Sequence, residues 1–246
     1  MVKKKLGVLG GMGPMATSVF FDRMIKNTQA TCDQEHIDTV ILNHTSIPDR
    51  TTCIIHEEYD HFFEEIAKSL AIFDQLGVSH IAIPCNTSHY FYEDLCKMTS
   101  VPIINMVDET ALALAEILPG QARVGVLGTD GTLMTDIYKK ALEGQGMTCV
   151  YPDDKTQKKV MDAIYNIKGS DLTSLSEVDD IIDHMVHDLG CHRVILACTE
   201  LSILDIQGDK KAYCIDAMDV LVRESIRLAD KKWVTSLLAE AVTSVS

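Results

Sequence analysis

Gly7-Val8-Leu9-Gly10-Gly11-Met12-Gly13 returns later in the chain, degenerate but in the same order, as Gly125-Val126-Leu127-Gly128-Thr129-Asp130-Gly131. Each copy reads as a short apolar strand running into a glycine turn, the opening of a βαβ unit. A second echo follows the first. Leu76-Gly77 precedes a strand-like run ending near Cys85, and Leu189-Gly190 precedes another ending near Cys198, with the same Leu-to-Cys spacing. Repetition in a fixed order marks a duplicated unit. Around these anchors, β-rich runs alternate with longer helical stretches. Strands are expected at Leu6–Leu9, Thr39–Leu42, His80–Ile83, Ile103–Asn105, Val124–Leu127 and Val194–Leu196. Helices are expected at Met15–Thr28, Tyr59–Leu76, Glu109–Ile117, Thr135–Glu143, Glu177–Leu189 and Ala217–Lys232. The alternation predicts an α/β fold of two similar Rossmann-like lobes, each with a parallel sheet; if these lobes are facing each other across a cleft, residues just past the strands of each enter it from opposite sides. Residues 1–107 with the C-terminal stretch 214–246 are expected to form the first lobe, and residues 108–213 the second.

Composition narrows the function classes. Of 246 residues, 46% are hydrophobic and 24% charged, an ordinary globular balance. The formal net charge of −14 argues against nucleic acid or an anionic membrane as partner. No apolar run approaches the roughly 20 residues of a membrane span. Met1-Val2-Lys3-Lys4-Lys5 leads straight into the first strand with no signal-peptide pattern, so a cytoplasmic protein with its eight cysteines as thiols is expected. No C-x-x-C pair occurs, and no metal site is expected. His184-x-x-His187 with Cys191-His192 has conceivable ligand spacing, but a solvated helix face is the simpler reading.

Ligands of open parallel sheets bind beyond the C-terminal ends of the strands. Cys85 and Cys198 lie there in equivalent copies, each followed by polar residues: Asn86-Thr87-Ser88 in one, Thr199-Glu200 in the other. A lone cysteine is ordinarily just core, but paired placement points to function. A thiol at a helix N-terminus is acidified, and two thiols on opposite faces of a carbon suit proton removal on one side and delivery on the other. Gly11-x-Gly13-x-x-Ala16 also matches a dinucleotide fingerprint, with Asp33, Glu35 and Asp38 at a suitable distance for a ribose partner. That supports a rival reading, an NAD(P)-dependent oxidoreductase, although Pro14 stands where the pyrophosphate would approach and Asp130 would oppose a phosphate in the second copy. A third reading is an amino-acid-binding protein without turnover. Arg50, in a loop after the second strand, is placed to grip a carboxylate. Lys168, beside Gly169, would be a solvated helix end unless a second carboxylate must be held.

With these residues assembled, the sequence resembles the aspartate/glutamate racemase family, nearest its aspartate racemase branch. The resemblance rests on Leu6–Thr17 (LGVLGGMGPMAT), Gln34–Ile37 (QEHI), Ile47–Thr51 (IPDRT), Ile81–Phe91 (IAIPCNTSHYF), Gly128–Thr132 (GTDGT), Val160–Lys168 (VMDAIYNIK) and Ala197–Leu201 (ACTEL). It implies an isomerase that interconverts L- and D-aspartate, or glutamate, without pyridoxal phosphate, metal or other cofactor, and a homodimer. By the same resemblance Cys85 and Cys198 are the catalytic thiols, with Cys198 acting on the L form and Cys85 on the D form. Arg50, with Thr51 beside it, and Lys168 match residues that hold the substrate carboxylates. Asn86, Thr87 and Thr199 flank the thiols, and Met12, Thr129 and Thr132 line the cleft from the glycine loops.

Overall fold

The run Lys5–Gly10 is apolar on both faces, as a strand covered by helices on both sides must be. The computed structural model describes residues 4–169, 175–206 and 208–234. It begins with strand β1 (Lys5–Gly10), helix α1 (Pro14–Asn27), β2 (Asp38–Asn43), α2 (Arg50–His56), α3 (Asp60–Leu76), β3 (His80–Ala82), α4 (Tyr92–Met98) and α5 (Met106–Ile117). It continues with β4 (Arg123–Gly128), α6 (Asp130–Met134), α7 (Ile137–Gly144), β5 (Thr148–Val150), α8 (Asp154–Lys168), α9 (Leu175–Asp183), β6 (Arg193–Ala197), α10 (Asp209–Tyr213), β7 (Cys214–Asp216) and α11 (Ala217–Leu228).

Two sheets form, ordered β2-β1-β3 and β5-β4-β6-β7, and every pairing within them is parallel. A bridge from Ile81 to Ile103 adds a rudimentary fourth position to the first sheet. The two orders then superpose: β1 on β4, β2 on β5, β3 on β6, and the Ile103 bridge on β7. In each copy a capped 12-residue helix follows the fourth position. Asn105 caps α5 by accepting from the amides of Val107 and Asp108, and Asp216 caps α11 by accepting from that of Met218. The duplication thus extends beyond the repeats visible in the sequence.

These last helices join the halves. α5 packs on α11 and α7, while α11 packs on α1 as well as α5. One buried cluster accordingly draws on both sheets, with Leu6, Val8, Phe20 and Met24 meeting Val124, Val126, Ile195 and Leu221. Separate clusters fill the outer flank of each half. Strand pairing places residues 214–216, expected in the first lobe, in the second sheet, while the helix after them packs on α1. Residues 1–3 and 235–246, the remainder of the expected first lobe, lie outside the described residues. Among the described residues no helix is long and apolar enough to cross a membrane.

Other differences are local. Ile103–Asn105 makes a single bridge rather than a strand, and β5 and β7, three residues each, were not expected. The expected helix Thr135–Glu143 is broken before α7 by Asp136, whose φ of 53° is left-handed. Gly11 has φ 93°, and a Cβ there would stand 2.5 Å from the backbone nitrogen and carbonyl carbon of His44. Gly11→Ala is expected to cost about 1–3 kcal/mol from backbone strain, with the clash in addition. The measurement is the urea midpoint of unfolding; no change would mean that the loop relaxes freely.

Candidate active site

All strands of a parallel sheet end on the same side, so the loops after β1, β3, β4 and β6 gather between the two halves. Cys198 follows β6 directly, and Cys85 follows β3 after Ile83-Pro84, its amide donating to the Ile83 carbonyl at 2.7 Å. Both are buried and both line one small cavity. Of the residues expected at the site, Met12, Arg50, Thr51, Asn86, Thr87, Thr129, Lys168 and Thr199 line it too. Thr132 stands one hydrogen bond behind. The halves close so tightly that the free space is about 10 Å³, roughly one water molecule. Wider grooves lie between α5 and α11 and beside α2, but they lack the pair of thiols.

Three threonines seal the closure. The Thr87 hydroxyl is 2.9 Å from those of both Thr129 and Thr132, which are 3.1 Å from each other. Gly131 permits the approach, since a Cβ there would meet Thr51 Cα at 3.0 Å and the Thr87 methyl at 3.1 Å. From the second half, the Thr199 hydroxyl reaches the Pro84 carbonyl at 3.4 Å.

The polar groups leave particular donors open. The Tyr138 phenol, buried and pushed upward in pKa by that burial, donates to Asn86 Oδ1. This orients the amide and leaves Asn86 Nδ2 as a buried donor without a partner among the described residues. Arg50 opens helix α2 rather than lying in a loop, with Asp49 capping that helix through the Thr52 amide at 3.0 Å. Its guanidinium donates to the carbonyls of Pro48 at 2.9 Å and Met12 at 2.8 Å, and its Nε is left buried without a partner among the described residues. These are two unmatched buried donors on residues that line one cavity, groups that a bound anion could satisfy.

The two thiols face opposite charges. Burial opposes the charge on Arg50, but the sulfur of Cys85, then Asp49 and Glu200, hold its pKa above the ordinary value. Cys198 lies on the other side. Burial first, then the Glu200 carboxylate, push its thiol well above the usual range, and Lys168 offsets this only in part. Its Sγ donates to Glu200 Oε2 at 3.0 Å. The helix-terminus acidification expected from the sequence therefore fails at Cys198. The nearest helical segment after it is a three-residue turn, Leu201–Ile203, whose dipole is slight, and an adjacent carboxylate outweighs it.

Asp49 and Glu200 both line the cavity and were missed as site residues. Their signals were present: Asp49 is a helix cap three residues before Thr52, and Glu200 sits two residues after a thiol, too near to leave its electrostatics alone. Lys168 ends α8 with its Nζ 3.5 Å from Asp49 Oδ2 and 4.8 Å over the Tyr165 ring. Burial would lower its pKa, but Glu200, Cys198 and Asp49 together raise it.

The competing motifs have other employment. Gly11 donates its amide to the Thr17 hydroxyl at 2.9 Å, and a Cβ on Gly13 would lie 3.1 Å from Glu200 Oε1. A carboxylate therefore stands at the start of α1, where a dinucleotide's pyrophosphate would sit, and repels it. His184 pairs with Asp188 at 2.8 Å, His187 lies edge-on to Tyr213 and Cys191 is core. Among the described residues no group of three or more His, Cys, Asp or Glu side chains is placed to hold a metal.

The chain matches the model of the Asp/Glu/Hydantoin racemase family over residues 9–225. It belongs to that family. The match takes in both thiols and every other expected site residue, and it makes the chain an isomerase of the racemase class. Among racemases, the broad specificity amino-acid racemase RacX of Bacillus subtilis is 28% identical over 224 residues, covering 90% of this chain and 96% of that one. The solved aspartate racemase of Picrophilus torridus superposes with a TM-score of 0.81 at 27% identity, covering 97% of this chain and 99% of that one. An aspartate racemase homologue from Pyrococcus horikoshii gives 0.75 at 25% identity, covering 92% and 99%. Both structures share the α/β fold described above.

Proposed function

We propose that this protein is a cofactor-independent racemase of acidic amino acids, aspartate first, that uses Cys85 and Cys198 as its two acid–base groups. The observation that carries this reading is the pair of buried thiols in one closed cavity, in duplicate positions, with cationic Arg50 against one and anionic Glu200 against the other. Arg50 Nε and Asn86 Nδ2 supply donors for the α-carboxylate. One sulfur, as thiolate, takes the α-proton, and charge moves onto the carboxylate between those donors. The other sulfur, as thiol, returns a proton to the opposite face. The turnover leaves one thiol and one thiolate with their places exchanged, so the proton count closes and the enzyme is set for the reverse direction. Fixed donors in a water-poor cavity stabilise the developing charge, where such stabilisation is usually the largest catalytic effect. The lobes proposed to part to admit the amino acid and to close on it are residues 1–107 with 214–246 and residues 108–213. Dimeric assembly and a cytoplasmic location belong to the same reading.

The test is proton NMR in deuterated water with pure L- and pure D-aspartate, no cofactor, and a chelator present. Loss of the α-proton signal, with decay of the circular dichroism of the pure enantiomer toward zero in a parallel sample, is the expected result. Binding without exchange for every amino acid would make this a binding protein. Turnover appearing only with a nicotinamide, with its absorbance change, would make it an oxidoreductase.

The reach of substrate choice depends on Lys168. If it receives the side-chain carboxylate, Lys168→Met should raise KM for aspartate by the equivalent of a charged hydrogen bond, about 1.5–3 kcal/mol, and leave alanine nearly untouched. Equal losses for both substrates would remove Lys168 from side-chain recognition. They would favour a wider substrate range, such as the name of the B. subtilis relative carries, because Lys168 already has Asp49 as a partner.

A further inference from the structure

We propose that Arg23, outside the cavity, is a positioning residue that holds the Cys198–Glu200 turn against the first lobe and thereby governs one side of the reaction; this rests on the two-thiol reading above. Arg23 lies on α1. One guanidinium nitrogen, Nη1, donates to Asp216 at 2.6 Å and to Asp219 at 2.7 Å, and Nη2 donates to the Ser202 carbonyl. Ser202 in turn donates its hydroxyl to Asp216 at 2.7 Å, and Asp216 is itself fixed as the cap of α11. The knot is half-buried and ties together three segments: a first-lobe helix, the turn after Cys198, and the junction of β7 with α11.

The turn carries the constraint to the site. The Leu201 amide donates to the Cys198 carbonyl at 3.0 Å, and the Ile203 amide to the Glu200 carbonyl at 3.0 Å. A carbonyl held at Ser202 thus sits in a short loop that also carries the thiol and its carboxylate. The same helix touches the loop a second time, because Gly13 at its start lies against Glu200 Oε1. The Arg23 bond and the packing of Gly13 against Glu200 together set the turn against α1. The corresponding turn at Cys85 is tied across the halves by neutral groups instead, Tyr138 donating to Asn86 Oδ1 and the Thr87 hydroxyl meeting those of Thr129 and Thr132 at 2.9 Å, and the His89 ring lies 2.9 Å from the Cys85 carbonyl; Arg23 takes no part in any of these bonds. The charges in the knot pull in both directions. Burial opposes the Arg23 cation, but Asp216 and Asp219 raise its pKa; burial and Asp216 in turn push Asp219 up to about 7.

The experiment compares Arg23→Gln and Arg23→Lys with the parent chain and with Cys198→Ser. Two measurements are made: α-deuterium exchange on each enantiomer, and the pH profile of alkylation at Cys198 and at Cys85, resolved by peptide mapping. Arg23→Gln is expected to slow exchange by about tenfold or more on the enantiomer whose exchange Cys198→Ser abolishes, with KM changed by less than about threefold. It is also expected to shift Cys198 alkylation to lower pH, as Glu200 is freed from the sulfur, while the Cys85 profile stays in place. Adding Arg23→Gln to Cys198→Ser should change nothing further. Arg23→Lys keeps a cation between the carboxylates and should restore part of the loss; it gives the reading if the glutamine variant does not fold. Equal slowing on both enantiomers, or an unmoved Cys198 alkylation profile, overturns the proposal. Racemisation surviving at the parent rate in Cys198→Ser would instead sink the two-thiol reading, and the alkylation profile would still judge Arg23.

Discussion

Cys85→Ser and Cys198→Ser should each lose racemisation by about 10²–10⁴-fold, the range typical of one acid–base group, while each keeps α-deuterium exchange with a single enantiomer. A serine hydroxyl is far too weak an acid to replace a thiol in either role. The remaining sulfur can still take the α-proton from the enantiomer that presents it, and can return a solvent deuteron to the same face. The two variants should therefore prefer opposite enantiomers. The family resemblance assigns the L form to Cys198 and the D form to Cys85, so Cys85→Ser should exchange L-aspartate and Cys198→Ser D-aspartate. The measurement is deuterium incorporation by mass spectrometry into each pure enantiomer. Preference for the same enantiomer in both variants would end the facing-thiol mechanism, whichever residue proved more important.

Glu200→Gln should move two observables in opposite directions. The carboxylate accepts the Cys198 S–H and, with burial, raises its pKa. Removing the charge lowers that pKa, so at pH 8 a larger fraction of Cys198 is thiolate and alkylation accelerates. Racemisation should nevertheless fall. The carboxylate orients the S–H toward the cavity wall and makes the thiolate, once formed, a stronger base; the amide does neither well. A charged hydrogen bond of about 1.5–3 kcal/mol corresponds to a loss of roughly ten- to hundredfold. Faster alkylation with unchanged turnover would reduce Glu200 to a bystander that merely sits near the sulfur. Slower alkylation would contradict the electrostatics described above.

The parallel architecture was legible because β1, β4 and β6 are long enough and apolar enough to declare themselves, and because the glycine turns recur. β5 and β7 were not, since three residues of mixed exposure carry no period of their own and depend on a neighbour already in place. At the site, the cysteines were legible through duplication, a relation within the sequence. Glu200 and Asp49 left only weak local signals, nearness to a thiol and a helix-cap position, because most of their importance is a distance to a residue far along the chain. Neither local propensity nor spacing encodes that Gly13 meets Glu200, or that Lys168 at the end of α8 arrives beside the cap of α2. Arg50 misled for a related reason: an arginine at a helix start runs against the dipole, and tertiary charge, not local preference, holds it there.

The unequal surroundings of the two thiols have a thermodynamic boundary. Mirror-image amino acids have the same free energy in water, so a racemase faces an equilibrium constant of unity that no arrangement of side chains can alter. The ratio kcat/KM must consequently be identical in the two directions. Whatever advantage Arg50 beside one sulfur and Glu200 beside the other confers on a given direction in kcat must be cancelled in KM. The asymmetry of the site can choose which enantiomer the enzyme holds more tightly and converts more slowly, but it cannot bias which one accumulates.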